Sequence, residues 1–144
     1  MRSAEATVRI FVEEMWGKGN TDLVNEVVSE DYRPDGQPGG REFVRRNMRR
    51  FRAGFPDLTL RVLHLVADET HGKVAVLLEL AGTHQGVFGG IAPTGRQARM
   101  LEAGFFTVEG EQVVAADWVS DSLGLRIQLG VLPEDFWTNP SSSR

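Results

Sequence analysis

Two aspartates four residues apart, Asp117 and Asp121, close the stretch ADWVSD at the end of a segment rich in Val and Ala. A carboxylate among apolar strand residues is costly unless it is hydrogen-bonded, paired or protonated. In a semi-dry pocket its pKa rises toward neutrality, which suits a general acid/base. With a period of two, Val113, Ala115, Asp117 and Val119 face one way, and Val114, Ala116, Trp118 and Ser120 the other. Both sets are largely apolar, so both faces are expected to be covered. One would meet helices and the other a partner subunit, with Trp118 as the anchor of a homodimer. Asp117 is the candidate acid/base; the alternative is a wet rim or a cap on a neighbouring turn. Asp121 is either a second acid or the N-cap of the following SLGLRIQ.

His84, at a strand end beside Gly82 and Gly86, is the one histidine placed to assist. His71 falls in a turn, and His64 alternates with apolar neighbours and reads as structural. No pair has the spacing of a metal site, so no metal is expected. The chain has no cysteine, which removes disulfides, thiolate ligands and a Cys nucleophile. GGIAPTGR lacks the phosphate-loop pattern, and no GxSxG elbow is present. Trp16, Tyr32, Phe51, Phe55, Phe88 and Phe105, with Met100, are either core filler or the wall of a pocket for a flat hydrophobic ligand.

The elements that would position these groups come in two blocks. Val8, Phe11, Val12 and Met15 fall on one helical face between about Ser3 and Trp16, before Gly17 and Gly19. Asn20 or Thr21 can cap a short helix carrying Leu23, Val24, Val27 and Val28. SEDYRPDGQPGG reads as a loop. A third helix carries the apolar stripe Val44, Met48, Phe51 and Phe55. Its arginines, Arg41, Arg45, Arg46, Arg49, Arg50 and Arg52, read as a solvated face without interleaved aromatics. Strands are predicted over 58–66, 73–84, 97–108 and 112–121, with 123–132 either helical or irregular. Helices followed by a meander predict an α+β fold: three N-terminal helices packed on a strongly curved, mainly antiparallel sheet. One domain over residues 1–137 and a flexible tail over 138–144 are expected.

The chain has 144 residues, 41% hydrophobic and 25% charged, with net charge −4. That balance gives no reason to expect a nucleic-acid partner. No apolar run approaches the roughly 20 residues that cross a bilayer, and the N-terminus lacks a signal-peptide core. A cytoplasmic protein is the expectation.

Over nearly the whole chain, EEMWGKGNTDLVNEVVSEDY, FPDL, AGTHQGVFGGIAPTGR, FFTVEGEQV and DWVSDSLGLRIQLG together resemble the SnoaL-like family of the nuclear-transport-factor-two-like superfamily. The resemblance implies a cone of three helices on a curved sheet around a deep hydrophobic pocket, and dimers through the outer sheet face. It implies a polyketide cyclase that works without cofactor or metal. There a strand aspartate followed by Trp takes a proton alpha to a carbonyl and returns one to the product oxygen; Asp117–Trp118 matches it. The assisting histidine of such cyclases is missing, since Ala103 and Gly104 stand at its place, and His84 is the substitute. An Asp–Arg–Asp epoxide hydrolase relay is broken at Arg99-Met100-Leu101. Other members hydroxylate anthracyclines or speed cycloadditions by pocket shape. The expected function is aldol-type ring closure of a bulky polyketide-type intermediate. The alternatives are a pericyclic cyclase or a non-catalytic binder of hydrophobic ligands.

Overall fold

The computed structural model describes residues 1–133. The expected domain limit at 137 and the tail over 138–144 lie outside the described residues. Helix α1, Ala4–Arg9, starts at Ser3, whose side chain accepts a hydrogen bond from the Ala6 amide. It continues as a π-helical segment, Ile10–Trp16. The expected face holds: Val8, Phe11, Val12 and Met15 are all buried. Arg52 reaches from α3, Gly40–Gly54, to the carbonyls of Trp16 and Gly17 and satisfies the end of this segment. A 3-10 turn, Thr21–Leu23, capped by Asn20, runs into α2, Val24–Val27.

The next segment corrects the sequence reading. Val28 leaves the helix, and SEDYRP is no loop: Val28–Pro34 is strand β1. It pairs parallel with β5, Gln112–Ser120, through Val28↔Val113 and Pro34↔Ala116. Its charged residues disguise it, yet Val28, Tyr32 and Pro34 are buried. An edge strand tolerates proline because one side of its backbone has no ladder to donate to. The pairing is set by residues about eighty positions away, which no local pattern can show.

The other strands lie close to their expected limits: β2, Thr59–Asp68; β3, Lys73–Thr83; and β4, Gln97–Glu109. β4 and β5 meet in a tight hairpin where Gly110 and Glu111 both take positive φ. The order β1-β5-β4-β3-β2 leaves β1 and β2 as free edges, so the curved sheet does not close into a barrel. Helix α4, Ser122–Gln128, is capped by Asp121, whose Oδ1 accepts from the Gly124 amide at 2.9 Å. The helices lie against the concave face, and the buried core sits between: Phe11, Met15, Val44, Met48, Val76, Leu78, Leu80, Met100 and Phe106 among others.

Candidate active site

The period of two along β4 sets the chemistry of the concave face. Ala98, Met100, Gly104 and Phe106 are buried, and Glu102 stands in the same row. Across the ladder Glu102 pairs with Ser120 and Gly104 with Trp118. Gly104 makes room for the indole: a Cβ there would come within 2.8 Å of Trp118 Cζ3 and of Phe106 Cε2. Trp118 therefore lies flat against β4. Its ring is 5.1 Å from Phe106 in an edge contact and 6.4 Å from Phe11 in a stacked one.

A cavity of about 500 Å³ opens between this face, the π-helical segment Ile10–Trp16 and α3. Its deep wall is Phe11, Val12, Tyr32, Val44, Leu78 and Leu80, all buried. Trp16, Phe43, Phe51, Leu60 and Trp118 form the flanks. The polar lining is Asp35, Arg46, Asn47, Arg50, Glu102 and Ser120. Such a space, mostly apolar with a few convergent polar groups, has the size and character of a small-molecule site.

Its titratable groups are tuned by burial. Desolvation pushes the Glu102 carboxyl above the ordinary glutamate range; the nearby Asp35 charge adds to the rise. The Ser120 hydroxyl, donating to Glu102 Oε2 at 2.6 Å, pulls the other way. Burial pushes Tyr32 up to about 12, with the charges of Asp35, Asp117 and Glu102 adding and the Trp118 hydrogen bond opposing. Tyr32 stays neutral at any physiological pH. Trp118 Nε1 donates to the Tyr32 oxygen at 3.3 Å, so the phenolic proton is free for another acceptor. Asp35, a non-glycine residue at φ 50°, fixes the β1 end: its amide donates to the Ala116 carbonyl and its Oδ1 accepts from the Trp118 amide at 2.8 Å.

The structure separates the residues singled out from sequence. Trp16, Tyr32 and Phe51 line the cavity. Phe55 and Met100 border a neighbouring apolar void of about 20 Å³ that shares Phe51 and Leu80 with it. Phe88 packs behind, 4.9 Å from Phe51 and 5.3 Å from Phe55. Phe105 is on the outer face, 56% exposed, paired with Asp117.

Asp117 itself is exposed on that outer face, in a shallow groove with Val66, Asp68, Lys73 and Phe105. The expected cover over Asp117 is not there: its apolar neighbours Val66 and Phe105 are themselves exposed, because the convex side carries no helix. Trp118 is the converse correction: it points inward and cannot anchor a contact through the outer face. Asp121 is spent on capping α4.

His84 is buried but away from the cavity, with its ring 5.4 Å from Phe55. Its Nδ1 accepts from the Thr94 amide at 3.2 Å and lies 3.0 Å from the Thr94 hydroxyl. Its backbone bonds to Gly95 and Arg96. It ties down the 85–95 loop. Gly86 seats that loop on α3, since a Cβ there would collide with the Ala53 carbonyl. The sequence does carry a signal for Glu102, a lone acid in an alternating apolar row. It is visible only once the register of β4 is known.

Among the described residues no group of three His, Cys, Asp or Glu could hold a metal ion, and no helix is long and apolar enough to cross a membrane.

Solved structures share this architecture. IdmH from Streptomyces antibioticus, described as a candidate polyketide cyclase, is 25% identical with a TM-score of 0.79, over 90% of this chain and 99% of that one. AclR from Streptomyces galilaeus, described as a candidate hydroxylase, is 24% identical with a TM-score of 0.80, over 97% and 88%. A SnoaL-like polyketide cyclase from Agrobacterium tumefaciens is 22% identical with a TM-score of 0.77, over 90% and 100%. No curated protein sequence matches the chain. The family model for SnoaL-like polyketide cyclases matches residues 6–129, the stretch that runs from α1 through α4 and holds every cavity residue, and the chain therefore belongs to the SnoaL-like polyketide cyclase family.

Proposed function

We propose that the protein closes a ring within a bulky, mostly apolar polyketide-type intermediate, with Glu102 rather than Asp117 as the general acid/base. The observation that carries the reading is the Glu102 carboxyl in the wall of the cavity, raised in pKa by burial. A carboxylate of raised pKa is a stronger base and, once protonated, still a useful acid near neutral pH.

The step balances within one substrate. Glu102 takes a proton from the carbon alpha to a ketone. The electron pair forms the enolate, whose oxygen can accept the free proton of the Tyr32 hydroxyl in a hydrogen bond. The enolate carbon attacks a second carbonyl of the same chain. The new alkoxide regains the proton from Glu102. The aromatic flanks hold the chain folded, so that orientational entropy is lost on binding and not at the transition state. That last contribution serves a pericyclic closure equally, and the aromatic walls support it as the second reading.

Proton exchange at the alpha carbon of 1-tetralone in D2O, followed by NMR, tests the assignment. Exchange above buffer is expected for the wild type, with a drop of roughly 100-fold in Glu102→Gln and no change in Asp117→Asn. Exchange no faster than buffer sinks the acid/base reading in favour of closure by shape or of a plain binder.

The reading includes a homodimer through the outer face. Val66, Leu101, Phe105 and Val119 are exposed apolar residues on neighbouring strands of that face.

A further inference from the structure

We infer that the substrate is a carboxylic acid and that Arg46 and Arg50, at the cavity rim, bind its carboxylate; the inference rests on the cavity being the substrate site. Of the arginines among the described residues, these two have neither a hydrogen-bond nor an ion-pair partner. Every other one on α3 is engaged. Arg41 holds the Val28 and Asn25 carbonyls and Glu30. Arg45 holds Asn25, Arg49 holds Glu42, and Arg52 holds the Trp16 and Gly17 carbonyls. The two without partners are the two that line the cavity.

They are nonetheless oriented. The Arg46 guanidinium lies 5.7 Å from the Phe43 ring centroid, and that of Arg50 lies 5.3 Å from both Phe51 and Phe88. Stacking holds the plane of a guanidinium and leaves its N–H edge free, the edge that pairs with a carboxylate through two parallel hydrogen bonds. The sequence reading saw no aromatics interleaved with these arginines, yet Phe43 and Phe51, the latter placed in the apolar stripe, sit under two of the charges. The spacing i, i+4 sets the two like charges side by side on one helix face, a repulsion that an anion between them relieves. The cavity's other charged groups, Asp35 and Glu102, are acids. An acidic substrate therefore has one orientation that favours its charge, with the carboxylate on α3 and the apolar body inside.

Anthraquinone-2-carboxylate and anthraquinone-2-carboxamide differ in that charge and serve as probes by isothermal titration calorimetry on the full chain. The acid is expected to bind at least ~10-fold more tightly than the amide, the worth of one charge-assisted hydrogen-bonded pair. The preference should shrink with added salt. In the Arg46→Gln/Arg50→Gln double variant acid and amide should bind alike. Equal binding in the wild type, or a preference that survives the double substitution, overturns the inference. If tetralone exchange is intact in that case, the anion site alone has failed. If neither probe binds and exchange is absent too, the cavity reading falls with it.

Discussion

The two faces of the sheet use the same strands for opposite ends. On the concave face Glu102 sits in a wall of apolar side chains that raises its pKa, and Trp118 packs over Gly104 against Phe106. On the convex face Asp117 lies in open solvent, one residue from that indole. A carboxylate is made reactive by what removes its water, not by the strand that carries it. Helices α1 and α3 cover one side and leave the other bare.

The largest expected separation is catalytic. Glu102→Gln should lose roughly 100-fold in ring closure or alpha-proton exchange, as for loss of a positioned general base, while Asp117→Asn keeps wild-type rates. Equal losses in the two variants would erase the distinction between the faces.

The second contrast is in packing. Gly104→Val places methyl groups where the Trp118 and Phe106 rings lie and should destabilise the fold by about 1–3 kcal/mol, the usual cost of overpacking. On the convex face, half-buried Ala103→Val, where no ring packs over the Cβ, should cost less, under about 1 kcal/mol. Urea unfolding of both variants provides the comparison.

Association is the convex face's own test. Phe105→Glu should turn a dimer into a monomer in sedimentation velocity and leave cavity binding intact. Trp118→Ala should do the reverse. Dissociation by the tryptophan variant alone would move the interface to the cavity side.

The pH dependence sharpens the Glu102 assignment. Ring closure should fall as pH drops through a value above the ordinary glutamate pKa, because the base must be ionised. Stability runs the opposite way. Between the ordinary and the raised pKa the folded state binds more protons than the unfolded chain, so the contribution of Glu102 is full below the ordinary value and is lost as pH rises through the raised one. Glu102→Gln should therefore raise Tm near neutral pH while it slows turnover. A Tm that falls at neutral pH would show that the carboxylate is held by compensating partners.

The smallest effect is expected at Asp121. Its replacement by Ala should cost about 1 kcal/mol as the loss of an N-cap, measured by thermal unfolding, with activity retained.

The amino-acid sequence by itself determined the elements whose apolar periodicity is complete within one segment. The stripe of α1, the Val44–Met48 face of α3 and the four strands of the meander were legible, as was the family, because glycines, turn residues and apolar spacing act locally. It also named part of the wall, Trp16, Tyr32 and Phe51. Tertiary structure decided the rest. β1 exists as a strand because β5 supplies its hydrogen bonds from far along the chain. The face on which Asp117 and Trp118 fall was fixed by where the helices pack, since alternation separates two faces without saying which is covered. Glu102 acquired its raised pKa, and Arg46 and Arg50 their lack of partners, only when distant segments enclosed one group and left the others open. A pKa and an unpaired charge are properties of surroundings, and those surroundings come from several elements at once.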